Sequence, residues 1–171
     1  MKDIKQTFIE KLHECNQHKK RLLSAQRRLD EIMPLDKVSY SILDELVVSV
    51  IDQMIFRFSK LQDTMGDKIF PSILELNGEK VKQITFIDRL NRLEELELLY
   101  KDKWMALRKD RNEIAHEYSF NQGEVVDSIN LIFKRTEDLL KIYDDIYNYC
   151  FGRFDFVKDS KILWNKGDAT L

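Results

Sequence analysis

Three long stretches of this chain carry apolar residues every three or four positions, a spacing that commits each to a helix with one buried face. Across residues 2–33, Ile4, Phe8, Leu12, Cys15, Leu22, Leu29 and Ile32 form one stripe, which Pro34 stops. Residues 39–65 place Leu43, Leu46, Val47, Val50, Met54, Phe58, Leu61 and Met65 on one face, and Val48, Ile51, Ile55 and Phe56 widen it toward burial on several sides. The last stretch carries Val125, Val126, Ile129, Ile132, Phe133, Leu139, Leu140, Tyr143, Ile146, Tyr147 and Cys150.

The punctuation between these stretches is equally readable. Gly66 and Pro71 interrupt the second pattern, residues 69–76 make a short helical piece, and Asn77-Gly78 marks a turn. Thr85, with Asp88 three residues on, is an N-cap for a short helix through Phe86, Ile87, Leu90 and Leu93. A further helix is predicted over residues 102–118, with residues 119–123 as a connection. After Gly152 the pattern dissolves. The layout predicts an all-α fold, an up-and-down four-helix bundle with a short accessory helix, over residues 1–151, followed by a C-terminal tail over 152–171. With 171 residues, five glycines, two prolines and 34% charged residues, the chain suits one domain of long helices.

Charge narrows the function classes. A net charge of −2 and a pI near 6.0 argue against broad electrostatic capture of nucleic acid, so RNA binding must use a local basic surface or an assembly. The two cysteines, Cys15 and Cys150, sit in dissimilar settings and read as reduced, packed thiols. The opening Met1-Lys2-Asp3-Ile4 does not read as a signal peptide, and no apolar run approaches the length of a membrane helix. A cytoplasmic protein with no membrane partner is expected.

The chemistry concentrates in Arg111-Asn112-Glu113-Ile114-Ala115-His116-Glu117-Tyr118. Trp104, Leu107, Arg111, Ile114 and Tyr118 step by three or four, so Arg111 stands in an otherwise apolar stripe where a leucine would be ordinary. An arginine there either makes an internal ion pair or serves a site, because burying it alone is costly. Arginine offers a fixed charge and a planar fork for phosphate, and histidine titrates near neutrality. His116 follows Arg111 by five, about 140° around the axis, so one helix does not bring both onto one phosphate. Asn112 and Glu113 share the His116 face. A second copy of the helix, supplied by a twofold dimer, completes such a site most naturally.

Arg111-x4-His116-x-Tyr118, with Asn112 directly after the arginine, resembles the Arg-x4-His-x-Tyr motif of the HEPN superfamily (higher eukaryotes and prokaryotes nucleotide-binding), and in particular HepT-like toxin ribonucleases. The likeness covers residues 104–118. It implies a HEPN-like bundle acting as a metal-independent, cofactor-free homodimer. The arginines and histidines of both subunits would meet in a composite cleft, and RNA would be cut by attack of the ribose 2′-oxygen on the neighbouring phosphate. Carried onto this chain, His116 transfers protons, Arg111 stabilises the charged transition state, and Asn112 positions substrate or histidine. Tyr118 matches the tyrosine that a nucleotidyltransferase antitoxin modifies by AMPylation; the plainer reading is an amphipathic tyrosine at the end of a core stripe. The alternative within the family is a non-catalytic module that serves as the substrate-binding partner of a minimal nucleotidyltransferase. A third reading, an interaction protein whose Arg111 makes a structural ion pair, leaves His116 and Asn112 without a role.

Other clusters carry less. Lys19, Lys20, Arg21, Arg27 and Arg28 form a basic group in the first helix, ordinarily a solvated face and here the best local source of phosphate contacts. His13, Cys15 and His18 do not have the i, i+4 histidine spacing that binds zinc. Glu94, Glu95 and Glu97 read as surface. Tyr143, Tyr147, Tyr149 and Phe151 read as packing residues near a dimer or antitoxin interface.

Overall fold

A computed structural model describes residues 3–114 and 121–163, and every regular element among the described residues is helical. In chain order these are α1 (Ile4–Leu29), α2 (Lys37–Ser41), α3 (Glu45–Thr64), a π-helical turn (Met65–Ile69), α4 (Phe70–Leu76), a 3-10 turn (Val81–Gln83), α5 (Phe86–Glu95), α6 (Lys101–Glu113), α7 (Gln122–Arg153) and α8 (Asp155–Lys158). None of the described helices is long and apolar enough to cross a membrane.

The boundaries follow local chemistry. α1 stops at Leu29 rather than at residue 33, because the amides of Ile32 and Met33 both turn back to the Leu29 carbonyl ahead of Pro34. The single helix expected over 39–65 is divided instead by two aspartates. Asp36 and Ser39 form a reciprocal capping box that starts α2, and the Asp44 carboxylate accepts from the Val47 amide at 2.9 Å to start α3. Gly66 and Pro71 do not break the backbone as expected. One wide turn carries it from α3 into α4, and Pro71 falls in the first turn of α4, where its missing N–H leaves no gap.

Two helix ends make the same C-terminal arrangement with different residues. After α4, the amides of Gly78 and Glu79 return to the carbonyls of Glu75 and Leu74, with Gly78 at φ 89°. After α5, the amides of Glu97 and Leu98 return to those of Glu94 and Leu93, with Glu97 at φ 57°. Both are Schellman ends, whose left-handed residue is most often glycine. Glutamate fills the second, and Leu93 and Leu98 are both buried there. The expected cap of α5 is present: the Asp88 amide donates to Thr85 Oγ1 at 3.2 Å and the Thr85 amide to Asp88 Oδ2 at 3.3 Å.

The described residues form two compact units, 3–17 with 63–101 and 142–163, and 18–62 with 102–114 and 121–141. The first unit buries Phe8, Leu12 and Cys15 of α1, Ile69, Phe70, Ile73 and Leu74 around α4, Leu90 and Leu93 of α5, and Tyr143, Ile146 and Cys150 of α7. Phe154, Val157 and Leu163, in the stretch read as a tail, are buried too, and Phe154 meets Phe8 edge to face with ring centres 6.1 Å apart. Arg92 of α5 grips Glu79 through two hydrogen bonds of 3.0 and 2.9 Å. Both cysteines are free and buried.

The second unit buries Leu22, Ala25 and Leu29 of α1, Met54, Phe58 and Leu61 of α3, Trp104 and Leu107 of α6, and Val126, Ile129, Ile132 and Leu139 of α7. Asn130 of α7 clamps the segment after α1, accepting from the Leu35 amide and donating to the Leu35 carbonyl, each at 2.8 Å. Two residues read as core are not: Leu46 is 78% and Phe56 51% exposed. The apolar face of α3 is narrower than its composition implies, because α3 begins only at Glu45 and turns its buried side along Ile51, Met54, Phe58 and Leu61.

Candidate functional site

α6 carries the motif arginine. Trp104, Leu107 and Ile114 are buried at the expected spacing, and Arg111 shares their stripe but is only half-buried. Asp110 Oδ2 accepts from Arg135 Nε of α7 at 2.7 Å, which braces the last turns of α6 within the second unit. This hydrogen bond and the Asp110 charge outweigh burial, which acts the other way, and leave the Arg135 guanidinium even harder to deprotonate than usual. Arg111 Nη1 donates to Asn112 Oδ1 at 3.2 Å, so the two polar residues that open the motif meet at the C-terminal turn of α6. A cation at that end is also favoured by the helix dipole.

Asn112 reaches the outer side of α6, where it lines an open depression of about 380 Å³ with Met105, Arg108, Lys109 and Glu113. A separate cleft of about 60 Å³ is walled by Ile114, Val125 and Ile129, with Tyr40, Asp52 and Ser128 as its polar groups. That volume suits ordered water and is far below what a nucleotide occupies. His116 and Tyr118 lie outside the described residues. The structure therefore brings together Arg111 and Asn112 of the expected constellation.

The basic group of the first helix falls in the part of α1 that belongs to the second unit. Lys20, Arg21, Arg27 and Arg28 are exposed and Lys19 is half-buried. His18, beside them in sequence, is buried with Nδ1 3.0 Å from Arg57 Nη1 of α3. A guanidinium can only donate, so Nδ1 is the acceptor and the ring is neutral. Burial, then the neighbouring Glu14, pushes the Cys15 thiol well above its usual range, so it stays protonated and a poor metal ligand. Among the described residues no group of three histidine, cysteine or carboxylate side chains is arranged to hold a metal.

Sequence reasoning missed Arg57, Arg135 and the exposed Phe56. A charged residue within an apolar stretch was the available signal for Arg57, which follows Phe56 and precedes Phe58. Asp110 with Arg135 had none, because a pairing across 25 positions leaves no local trace. Comparisons of the chain with known families, with curated proteins and with solved structures find no match.

Proposed function

We propose that this chain is a metal-independent endoribonuclease of the HEPN type, the toxin of a pair with a nucleotidyltransferase antitoxin, folded as a four-helix bundle and working as a cytoplasmic homodimer. One observation carries the reading: Arg111 occupies a leucine position on the inward stripe of α6, half-buried, with its guanidinium against Asn112. A charge is kept at such a position at a cost, and phosphate chemistry gives it a use. The exposed apolar side chains Val38, Ile42 and Leu46 favour association with another protein surface.

In this reading an imidazole, that of His116 in one subunit, takes the proton of a ribose 2′-hydroxyl as its oxygen attacks the adjacent phosphorus. The bond from phosphorus to the 5′-oxygen breaks, the leaving oxygen takes up a proton, and the products are a 2′,3′-cyclic phosphate and a 5′-hydroxyl. Arg111 stabilises the negative charge that gathers on the non-bridging oxygens, and Asn112 orients substrate or imidazole. The nucleophile belongs to the substrate, so no metal is required to generate it. AMPylation of Tyr118 by the antitoxin would place a phosphate and a nucleoside beside these groups and block access to them.

RNA incubated with the purified protein in EDTA is expected to be cut. Arg111→Ala should slow cutting by about 10²–10³-fold, the loss typical of a transition-state charge stabiliser. His116→Ala should abolish it, with helical signal and dimer unchanged. Full activity in His116→Ala, or loss of cutting in EDTA, would overturn the mechanism. Binding to a nucleotidyltransferase without any RNA cleavage would favour the non-catalytic module instead. Intact mass after co-expression with such an enzyme should show added AMP; a mass unchanged at Tyr118 counts against that mode of control.

A further inference from the structure

Within the second unit, Gln53 Nε2 of α3 donates to the Arg21 carbonyl of α1 at 3.1 Å, and Arg57 Nη1 meets His18 Nδ1 at 3.0 Å. The pairing of 21 with 53 and 18 with 57 runs the two helices antiparallel and fixes which residues share their outer edge. On α1, Arg21 and Arg28 are both exposed and seven residues apart, nearly in line and about 10.5 Å along the axis. On α3, Gln53, Phe56 and Lys60 succeed one another on neighbouring turns.

Phe56 is the unusual member. The residue is 51% exposed, with Arg57 Cζ 5.2 Å and Lys60 Nζ 5.8 Å from the centre of its ring. An exposed aromatic side chain with two cations near its ring, on a face where the adjoining helix exposes Arg21 opposite Gln53 and Arg28 two turns farther along, combines a stacking surface with charges for a backbone. The chain as a whole is acidic, with net charge −2, so this concentration is local. The acidic residues nearest along α3 are Asp52, four before Phe56, and Asp63, three after Lys60. A second copy of this face packed about a twofold axis would bring like charges together, which disfavours a self-interface here.

We propose that the α1–α3 face carrying Arg21, Arg28, Phe56, Arg57 and Lys60 binds single-stranded RNA, a base stacking on Phe56 while the flanking phosphates meet the cations. The choice of RNA rests on the ribonuclease reading; the face supplies a place to hold substrate apart from the Arg111 motif. Stacking on an aromatic ring tolerates any base, so this face contributes affinity with little sequence preference.

The test is fluorescence anisotropy in EDTA with a labelled single-stranded oligouridylate of about twelve nucleotides, within the site sizes of such surfaces. A His116→Ala background prevents cutting. Phe56→Ala is expected to weaken binding about 5- to 150-fold, while Phe56→Trp retains it. Lys60→Ala or Arg28→Ala should each lower the slope of log affinity against log salt by about 0.7. Both positions are exposed, and circular dichroism checks that the fold is kept. Unchanged affinity in Phe56→Ala overturns the proposal, and so does a Phe56→Ala protein that loses dimerisation while each chain binds RNA as before. If the otherwise wild-type enzyme cuts RNA equally well with and without Phe56, this face is not a substrate site and the ribonuclease reading stands. If Phe56→Ala loses binding but the wild-type protein cuts nothing, the face stands and the ribonuclease reading falls.

Discussion

Asp110 and Arg135 are joined by a 2.7 Å hydrogen bond between Oδ2 and Nε, one residue before the motif arginine. The Asp110 side chain keeps only 13% of its exposure and that of Arg135 keeps 34%. The pair fixes the turn from which Arg111 projects, between the buried Leu107 and the buried Ile114.

Arg135→Ala is therefore expected to act on the site more than on the fold. Solvent screening limits the loss of stability to about 1 kcal/mol or less. RNA cleavage should fall by about tenfold, because a small displacement of a positioned charge is costly to a transition state. Arg135→Lys, which keeps the charge but not the planar donor fork, should fall between the two. Thermal unfolding and cleavage rates measured side by side check this; equal activity in all three proteins would show that the pair does not position Arg111.

Glu97→Gly should stabilise the protein. Glu97 adopts φ 57° to close the C-terminal end of α5, a conformation in which a side chain is disfavoured by about 1–2 kcal/mol and glycine is not. The greater freedom of glycine in the unfolded chain offsets part of that gain, leaving an increase of about 0.5–1 kcal/mol in urea unfolding. Gly78→Ala, at φ 89° after α4, should have the opposite sign.

Tyr143→Phe should cost about 1–3 kcal/mol. The Tyr143 hydroxyl is buried in the first unit, donating to Asn16 Oδ1 at 2.6 Å, with the Leu12 carbonyl 3.2 Å away. Removing one oxygen leaves the ring packed but deprives Asn16 Oδ1 of its donor. Denaturant unfolding reads the loss, and no change would mean that water replaces the hydroxyl.

Stability should decline on the alkaline side. Burial pushes the Cys150 thiol up to about 12 and drives Cys15 and Tyr143 above their usual ranges, Cys15 also through Glu14. Each raised group binds its proton more tightly in the fold than in the unfolded chain, so its contribution is complete below the unfolded value, 9.0 for a thiol, and is lost as pH rises toward the folded one. Unfolding midpoints are expected to hold to about pH 8 and fall beyond about pH 9, by up to about 1.4 kcal/mol per pH unit for each such group. Cys150→Ala should flatten the slope.

Periodicity and caps made much of the fold legible. The Trp104, Leu107, Ile114 stripe is buried as its spacing implies, and Thr85 with Asp88 caps α5 because a capping box is written within four residues. Leu46 and Phe56 were misjudged for the converse reason: hydrophobicity records what a side chain prefers, whereas exposure depends on which neighbour arrives to cover it. Of the candidate site, Arg111 and Asn112 are found together on α6, while His116 and Tyr118 lie beyond the described residues.

By itself the sequence determined that this protein is helical and where its helices are capped, since those choices rest on interactions between residues three or four positions apart. Tertiary structure alone decided that Asp110 meets Arg135, that His18 accepts from Arg57, and that Phe56 is left exposed. Such relations depend on which helix faces lie side by side, and the packing of many side chains at once selects that arrangement.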